Sequence, residues 1–236
     1  MRHDGIRLAY RLTKGRGPTL VFLPGYMSDM QGGKATALCA WAEAQGIGML
    51  RLDYSGCGES EGEFEDGTLD IWRDDVLAVI AHAQVGPLIL VGSSMGGWLM
   101  LLVAEALGAQ VMAMVGIAAA PDFTDWDFND ADRATMAADG RIERPSDYGY
   151  DPMVITRAFW QSGQDNLRLN GEIGIDCPVR LIHGQCDPDV PWQTSLSLAA
   201  RLRSSDVQTI LVKDGDHRLS RDEDIALLID TIAKLV

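Results

Sequence analysis

The stretch LILVGSSMGGWLM, residues 88–100, joins two apolar patterns through a pair of serines set between glycines. Leu88 to Val91 has the length and branching of a short buried strand, and the residues from Gly96 to Gly108 have the apolar density of a buried helix. A strand that enters a helix through Gly-x-Ser-x-Gly makes a sharp, strained turn that presents the serine hydroxyl at the top of a sheet. Gly92 and Gly96 make Ser94 the central residue. A register centred on Ser93 would need glycines where Val91 and Met95 stand. Ser93 then shapes the turn, and Gly96 and Gly97 let the helix pack close behind it. The plainer reading is that the glycines merely permit a tight turn and Ser94 caps the helix. What lies downstream separates the two.

A serine hydroxyl is a weak nucleophile at neutral pH. It needs a histidine to take its proton, and the histidine needs a carboxylate to fix its tautomer and stabilise its charged form. Both follow, in the chain order Ser, Asp, His that accompanies such a turn. In VRLIHGQCDPDVPW (179–192) a strand from Val179 to His183 opens into a turn carrying Asp187. In TILVKDGDHRLS (209–220) a strand is followed by a loop carrying His217. Both residues come just after the carboxyl ends of strands, where open α/β sheets bind ligands. Asp189 competes with Asp187 for the acid, and turn chemistry accounts for either. Asp214 and Asp216 read as solvated residues of the histidine's own loop. His3 is terminal, while His82 on a helix and His183 at a strand end have packing or surface readings.

Acyl transfer also needs donors for the oxyanion. The N–H of Met95, at a helix start whose dipole favours negative charge, is one. In VFLPGYMSD (21–29), Gly25 lets the chain turn and Tyr26 offers the second N–H, with Met27 as the fallback. Such a donor is typically worth ~10²–10³ in turnover.

Around these motifs, strands are expected at 6–12, 19–23, 48–53, 88–91, 111–117, 179–183 and 207–212. Helices are expected at 32–45, 69–83, 96–108, 193–203 and 221–235. The alternation predicts an α/β fold, a mostly parallel central sheet with helices on both faces and IRLAYRL (6–12) as an antiparallel edge. The chain reads as a single domain over 1–236. From Pro121 to about Asp176 the rhythm breaks without a clear strand, which reads as a small helical cap insertion, long enough to be functional. Its aromatics Trp126, Phe128, Phe159 and Trp160, with Met27, could line an apolar acyl pocket or simply pack the cap onto the body. In RLDYSGCGES (51–60), Asp53 and Ser60 read as local hydrogen-bonding residues; Trp72, in the helix from Leu69, reads as packing.

The 236 residues are 47% hydrophobic and carry a net charge of −14, which on average repels a phosphate backbone, argues against nucleic acid as a partner unless a local basic patch exists, and gives no steering for an anionic acyl carrier. No run of eighteen apolar residues suggests a membrane span. Four scattered cysteines, without Cys-x-x-Cys spacing, suggest neither a disulfide framework nor a zinc site. With no leader-like segment near Met1, a cytoplasmic, reducing setting is the expectation.

The tokens FLPGY, DYSGCGES, VGSSMGGWLM, HGQCDPDVPW and GDHRLS resemble the α/β-hydrolase superfamily, over most of the chain from Leu23 to the last helix. More narrowly they are similar to the mitochondrial palmitoyl-protein thioesterase group that also cleaves acyl glucuronides, and to its bacterial relatives; RPSDYGY (144–150) is reminiscent of that group. The resemblance implies Ser94 as nucleophile, Asp187 as acid and His217 as base. The sequence departs from that group in showing no mitochondrial transit segment, so the organelle location is not expected to carry over, and the acyl preference is the trait that transfers least because the cap shapes the pocket.

The expected chemistry is hydrolysis of a carboxylic ester or acyl thioester, of a small molecule or an acylated protein, through a seryl acyl-enzyme that requires no metal or cofactor. Serine rather than aspartate at the turn argues against alkyl-ester chemistry. A carbon–carbon bond hydrolase could use the same triad, and a non-catalytic ligand-binding scaffold could use the same fold.

Overall fold

A computed structural model of the chain describes residues 1–145 and 152–236. In chain order, β1 (Arg2–His3), β2 (Ile6–Arg7), β3 (Tyr10–Thr13) and β4 (Arg16–Leu23) precede α1 (Gly33–Gln45), β5 (Ile47–Leu52) and α2 (Leu69–Ala83). Next come β6 (Leu88–Ser93), α3 (Met95–Leu107), β7 (Val111–Ile117), α4 (Phe123–Trp126) and α5 (Asp130–Asp139). The chain continues with β8 (Arg141–Arg144), β9 (Met153–Thr156), α6 (Arg157–Asp165), β10 (Val179–Gly184), α7 (Gln193–Arg201), β11 (Val207–Val212) and α8 (Asp222–Ala233).

Seven strands form the central sheet in the order β11-β10-β7-β6-β4-β5-β3. Every neighbour is parallel except β3, which runs antiparallel to β5 at the edge. Strand alternation sorts the core into two layers. Leu20, Phe22, Ile89 and Val91 meet α1 and α8 through Leu38 and Ile232, whereas Val21, Leu23, Leu88 and Leu90 face Val76, Val79 and the α3 residues Leu99 and Leu102. Because β6 is covered on both faces, its sequence is a continuous apolar run rather than an alternation.

The expected IRLAYRL edge strand divides. Ile6–Arg7 pairs back onto Arg2–His3, and Tyr10–Thr13 joins the sheet. Between them Leu8 and Ala9 are buried, and their N–H groups go to Met1 O at 2.7 Å and Ser60 Oγ at 2.9 Å, which takes them off the ladder. β4 begins earlier than the expected Thr19, past a register shift that accommodates Gly17 and Pro18.

The 121–176 insertion, expected to be helical without a clear strand, also contains two paired strands among the described residues. Three helices, α4 to α6, are joined by an antiparallel hairpin in which Arg141 pairs with Thr156 and Arg144 with Met153. RIER has one apolar residue in four, so only Ile142 turns inward, and the strand gives no readable period. Of RPSDYGY, Ser146 to Tyr150 lies outside the described residues.

Candidate active site

The turn between β6 and α3 explains its own glycines. A Cβ at Gly96 would overlap the carbonyl oxygens of Leu23 and Pro24, and one at Gly92 would overlap the Gly96 carbonyl. A Cβ at Gly97 would overlap that of Ala119. Crowded between β4, β7 and α3, the chain passes Ser94 at φ +54° and ψ −121°, a backbone state that L residues rarely adopt and that the surrounding packing must enforce. The Ser94 N–H donates to Ile117 O at 2.9 Å, and its carbonyl accepts from Gly97 and Ala120, so the strained residue is bonded on both sides. Its side chain makes no capping hydrogen bond to the helix it starts.

His217 Nε2 lies 3.1 Å from Ser94 Oγ, and His217 Nδ1 lies 2.8 Å from Asp187 Oδ2. The three residues that the sequence put in order are thus brought together from the ends of β6, β10 and β11. The Asp187 side chain is fully buried and that of His217 is 16% exposed. Asp187 Oδ1 accepts the N–H groups of Asp189 and Val190, each at 2.8 Å. Burial opposes ionisation of Asp187. Hydrogen bonds from His183 and His217, the charge of a protonated His217 and the Val190 N–H together outweigh it and hold the carboxyl well below the usual carboxylate range. Asp189, the competing acid, contributes its N–H to Asp187.

Asp187 has a second imidazole partner that the sequence reading left to packing or surface. His183 is fully buried, with Nε2 3.1 Å from Asp187 Oδ2 and 3.0 Å from Val190 O, and Nδ1 2.7 Å from Ser195 Oγ. The signal available in the sequence was the four-residue spacing of His183 and Asp187 across a strand end, which does not by itself show that the side chains meet. Asp187, Asp189 and His217 also offer oxygen and nitrogen atoms within 4.8 Å of one another. The Asp187 oxygens of that group already accept two imidazoles and two backbone N–H groups.

The Pro24–Met27 turn runs against this corner. A Cβ at Gly25 would stand only 3.3 Å from Ser94 Cβ, so glycine lets the loop close on the serine. Met95, as the first residue of α3, has an N–H with no acceptor within the helix. Met27 adopts φ +55°, is 42% exposed, and helps line a cavity of about 180 Å³ with Ser28, Cys57 and Phe64.

The other expected pocket residues serve packing first. Phe159 is 1% exposed and its ring lies 4.7 Å from Tyr26, 5.5 Å from Trp72 and 5.8 Å from Phe123, centroid to centroid. Phe128 is buried under the Arg144 guanidinium, 4.9 Å from its ring centre. Trp126 and Trp160 donate their indole N–H groups to Pro121 O and Thr124 O. Trp160 also borders a second cavity, of about 320 Å³, with Arg133, Met136 and Arg157. Trp72 is fully buried and donates to Ser55 O; Asp53 accepts the N–H groups of Met30 and Glu59 and pins the two loops beside Met27.

A doubly covered parallel sheet with a strained serine between its central strand and a buried helix is the architecture of one large class, and residues 20–230 match the model of the alpha/beta hydrolase family. The chain belongs to that family. It is 41% identical over 239 residues to the mitochondrial palmitoyl-protein thioesterase ABHD10 of Homo sapiens, covering 100% of this chain and 78% of that protein. The solved structure of alpha/beta hydrolase domain-containing protein 10 from mouse superposes with a TM-score of 0.93 at 41% identity, covering 100% of this chain and 96% of the other. Est1E from Butyrivibrio proteoclasticus, solved with ferulic acid, shares the fold at 20% identity, with a TM-score of 0.80 over 98% of this chain and 94% of its own. Among the described residues, no helix is long and apolar enough to cross a membrane.

Proposed function

We propose that this protein is a serine hydrolase that cleaves carboxylic esters or acyl thioesters, with palmitoylated protein as the substrate type suggested by the name of its relatives and an acyl glucuronide as the one implied by the sequence resemblance. The observation that carries the reading is the continuous path from Ser94 Oγ through His217 to a buried, ionised Asp187. Ser94 attacks the acyl carbon while His217 Nε2 takes the hydroxyl proton. Asp187 holds the Nδ1–H and stabilises the imidazolium. The N–H groups of Met95 and Tyr26 receive the oxyanion, whose charge the start of α3 also favours. Collapse of the tetrahedral intermediate expels the alcohol or thiol, which receives the proton from His217. Water, deprotonated by the same imidazole, then attacks the acyl-enzyme and restores Ser94.

In this reading residues 1–236 work as one hydrolase domain, with the 121–176 insertion as its cap. Met27, Trp126 and Trp160 are the members of the expected acyl pocket with exposed surface to offer, and Phe128 and Phe159 shape it from behind. The scattered spacing of the four cysteines, without a Cys-x-x-Cys pair, favours a reducing compartment such as the cytoplasm.

Ser94→Ala tests the proposal. The variant is expected to keep the wild-type circular dichroism spectrum and melting temperature, to lose turnover of p-nitrophenyl esters and acyl thioesters, and to resist a fluorophosphonate probe that labels the wild type. Unchanged turnover in Ser94→Ala overturns it. Activity confined to vinylogous diketones would assign the triad to carbon–carbon cleavage instead.

A further inference from the structure

Asp187 Oδ2 is shared by two imidazoles, and only one of them reaches Ser94. The Nε2 of His183 faces two acceptors at once, the Asp187 carboxylate at 3.1 Å and the Val190 carbonyl at 3.0 Å. Neither can donate, so Nε2 carries the hydrogen. Nδ1 is then the acceptor, and the Ser195 hydroxyl at 2.7 Å donates to it. Ser195 is 1% exposed and sits in the first turn of α7, where its N–H is engaged by Trp192 O at 3.1 Å. The ring is thus locked in one tautomer and one orientation by a buried hydroxyl on a different element.

We infer that His183 is a positioning residue for the proposed reaction, a tautomer-locked donor that orients Asp187 toward His217 and moderates how strongly the carboxylate pulls on the His217 Nδ1–H. The inference rests on the hydrolase reading above. It follows from saturation of the carboxylate. Asp187 Oδ1 is held by two backbone N–H groups and Oδ2 by two imidazole N–H groups, so the carboxylate plane has no freedom to turn away. Without His183, Oδ2 keeps His217 as its sole side-chain donor. A buried orientating bond is then lost and the Val190 carbonyl is left without that donor. Partners that orient a reacting ligand in this way commonly change activity roughly 10- to 100-fold when removed from metal sites, and a comparable effect is expected here.

Three variants separate donation from bulk. His183→Phe fills the space without a donor, His183→Gln restores an N–H near the Nε2 position, and Ser195→Ala removes the group that fixes the tautomer. The readouts are kcat and KM on a p-nitrophenyl ester, together with the low-field proton NMR resonance of the His217 Nδ1–H in the unliganded protein. His183→Phe is expected to lower kcat roughly tenfold or more with KM nearly unchanged, and to move that resonance. His183→Gln is expected to recover most of the loss, and Ser195→Ala to show a smaller loss in the same direction.

A His183→Phe chain with wild-type kcat and an unmoved resonance overturns the inference. So does a His183→Gln chain as impaired as His183→Phe, which would assign the residue to packing. If His183→Phe does not fold, Ser195→Ala decides, and wild-type kcat with an unmoved resonance in that variant is the overturning result. Failure of the hydrolase reading is a separate outcome. A wild type inert to esters, thioesters and fluorophosphonate would sink that reading, while the resonance would still report whether His183 acts on the Asp187–His217 bond.

Discussion

The Tyr26 hydroxyl donates a 2.6 Å hydrogen bond to the Val154 carbonyl, tying the turn that closes on Ser94 to strand β9 of the insertion. Its ring lies among Phe64, Trp72, Phe123 and Phe159. Burial pushes the phenol far above its ordinary pKa, with coulombic coupling to Cys57 and Glu65 adding to the effect, so it stays a donor. The backbone of Tyr26 is proposed to serve the oxyanion while its side chain holds the cap. Tyr26→Phe keeps the ring and removes only this bond. A stability loss of about 1–2 kcal/mol is expected in thermal denaturation, together with a fall in kcat/KM on ester substrates. Wild-type values for both would show that the bond does not couple cap and turn.

Phe159 distinguishes a packing role from a pocket role. Three aromatic neighbours, Tyr26, Trp72 and Phe123, and 1% exposure place it at the joint between cap and body. Phe159→Ala is expected to destabilise the chain by about 3–5 kcal/mol, measured by chemical denaturation. A stable variant with altered acyl-chain preference would restore Phe159 to the substrate side.

The close approach at Gly96 makes a sharp prediction. A methyl group there meets backbone carbonyl oxygens of β4 and the following turn, which cannot rotate aside as a side chain could. Gly96→Ala is expected to cost at least about 1–3 kcal/mol and to abolish fluorophosphonate labelling of Ser94, because the turn must open. Labelling at the wild-type rate would contradict the proposed strain.

Asp187 predicts both rate and pH dependence. Asp187→Asn leaves the shape but allows the wrong His217 tautomer, and a fall in kcat of about 10⁴ is expected by analogy with serine proteases. The carboxyl is held below its unfolded value of about 3.9, so the fold favours its ionised form. That stabilisation is fully present above the unfolded pKa and is lost as pH falls through the lower folded value. Guanidinium midpoints measured from roughly pH 6 to roughly pH 3 should therefore fall more steeply for the wild type than for Asp187→Asn. Parallel slopes would mean the folded carboxyl is not favoured.

Residues 111–117 and 207–212 form the strands read from their apolar runs, and α2 begins and ends where its spacing put it, with Thr68 accepting the Ile71 N–H as its cap. Such segments are legible because period and punctuation are local. Ser94, Asp187 and His217 were legible for a different reason: chain order and strand ends fix where the sheet delivers them. The His183 contacts were not, because they depend on a hydroxyl from α7 and on a ring orientation that no spacing encodes. The 141–156 hairpin escaped for want of apolar residues, and the burial of Phe159 escaped because an aromatic in an insertion looks the same whether it faces a ligand or Trp72.

The sheet order has a consequence for how the molecule fails. Ser94 leaves the central strand β6, between β4 and β7, and enters α3, whose residues from Met95 to Ala104 are all buried. His217 follows β11, the edge strand, which has β10 as its one neighbour and whose residues are mostly half-exposed. The proposed nucleophile and base therefore hang from opposite ends of a gradient in local stability. Fraying of the outer strand would take His217 away while Ser94 remained anchored in the interior. In mild denaturant, turnover is therefore expected to fade before the bulk of the fold melts and to return on dilution, which makes an outer strand, and not the core, the element that sets the working range of the enzyme.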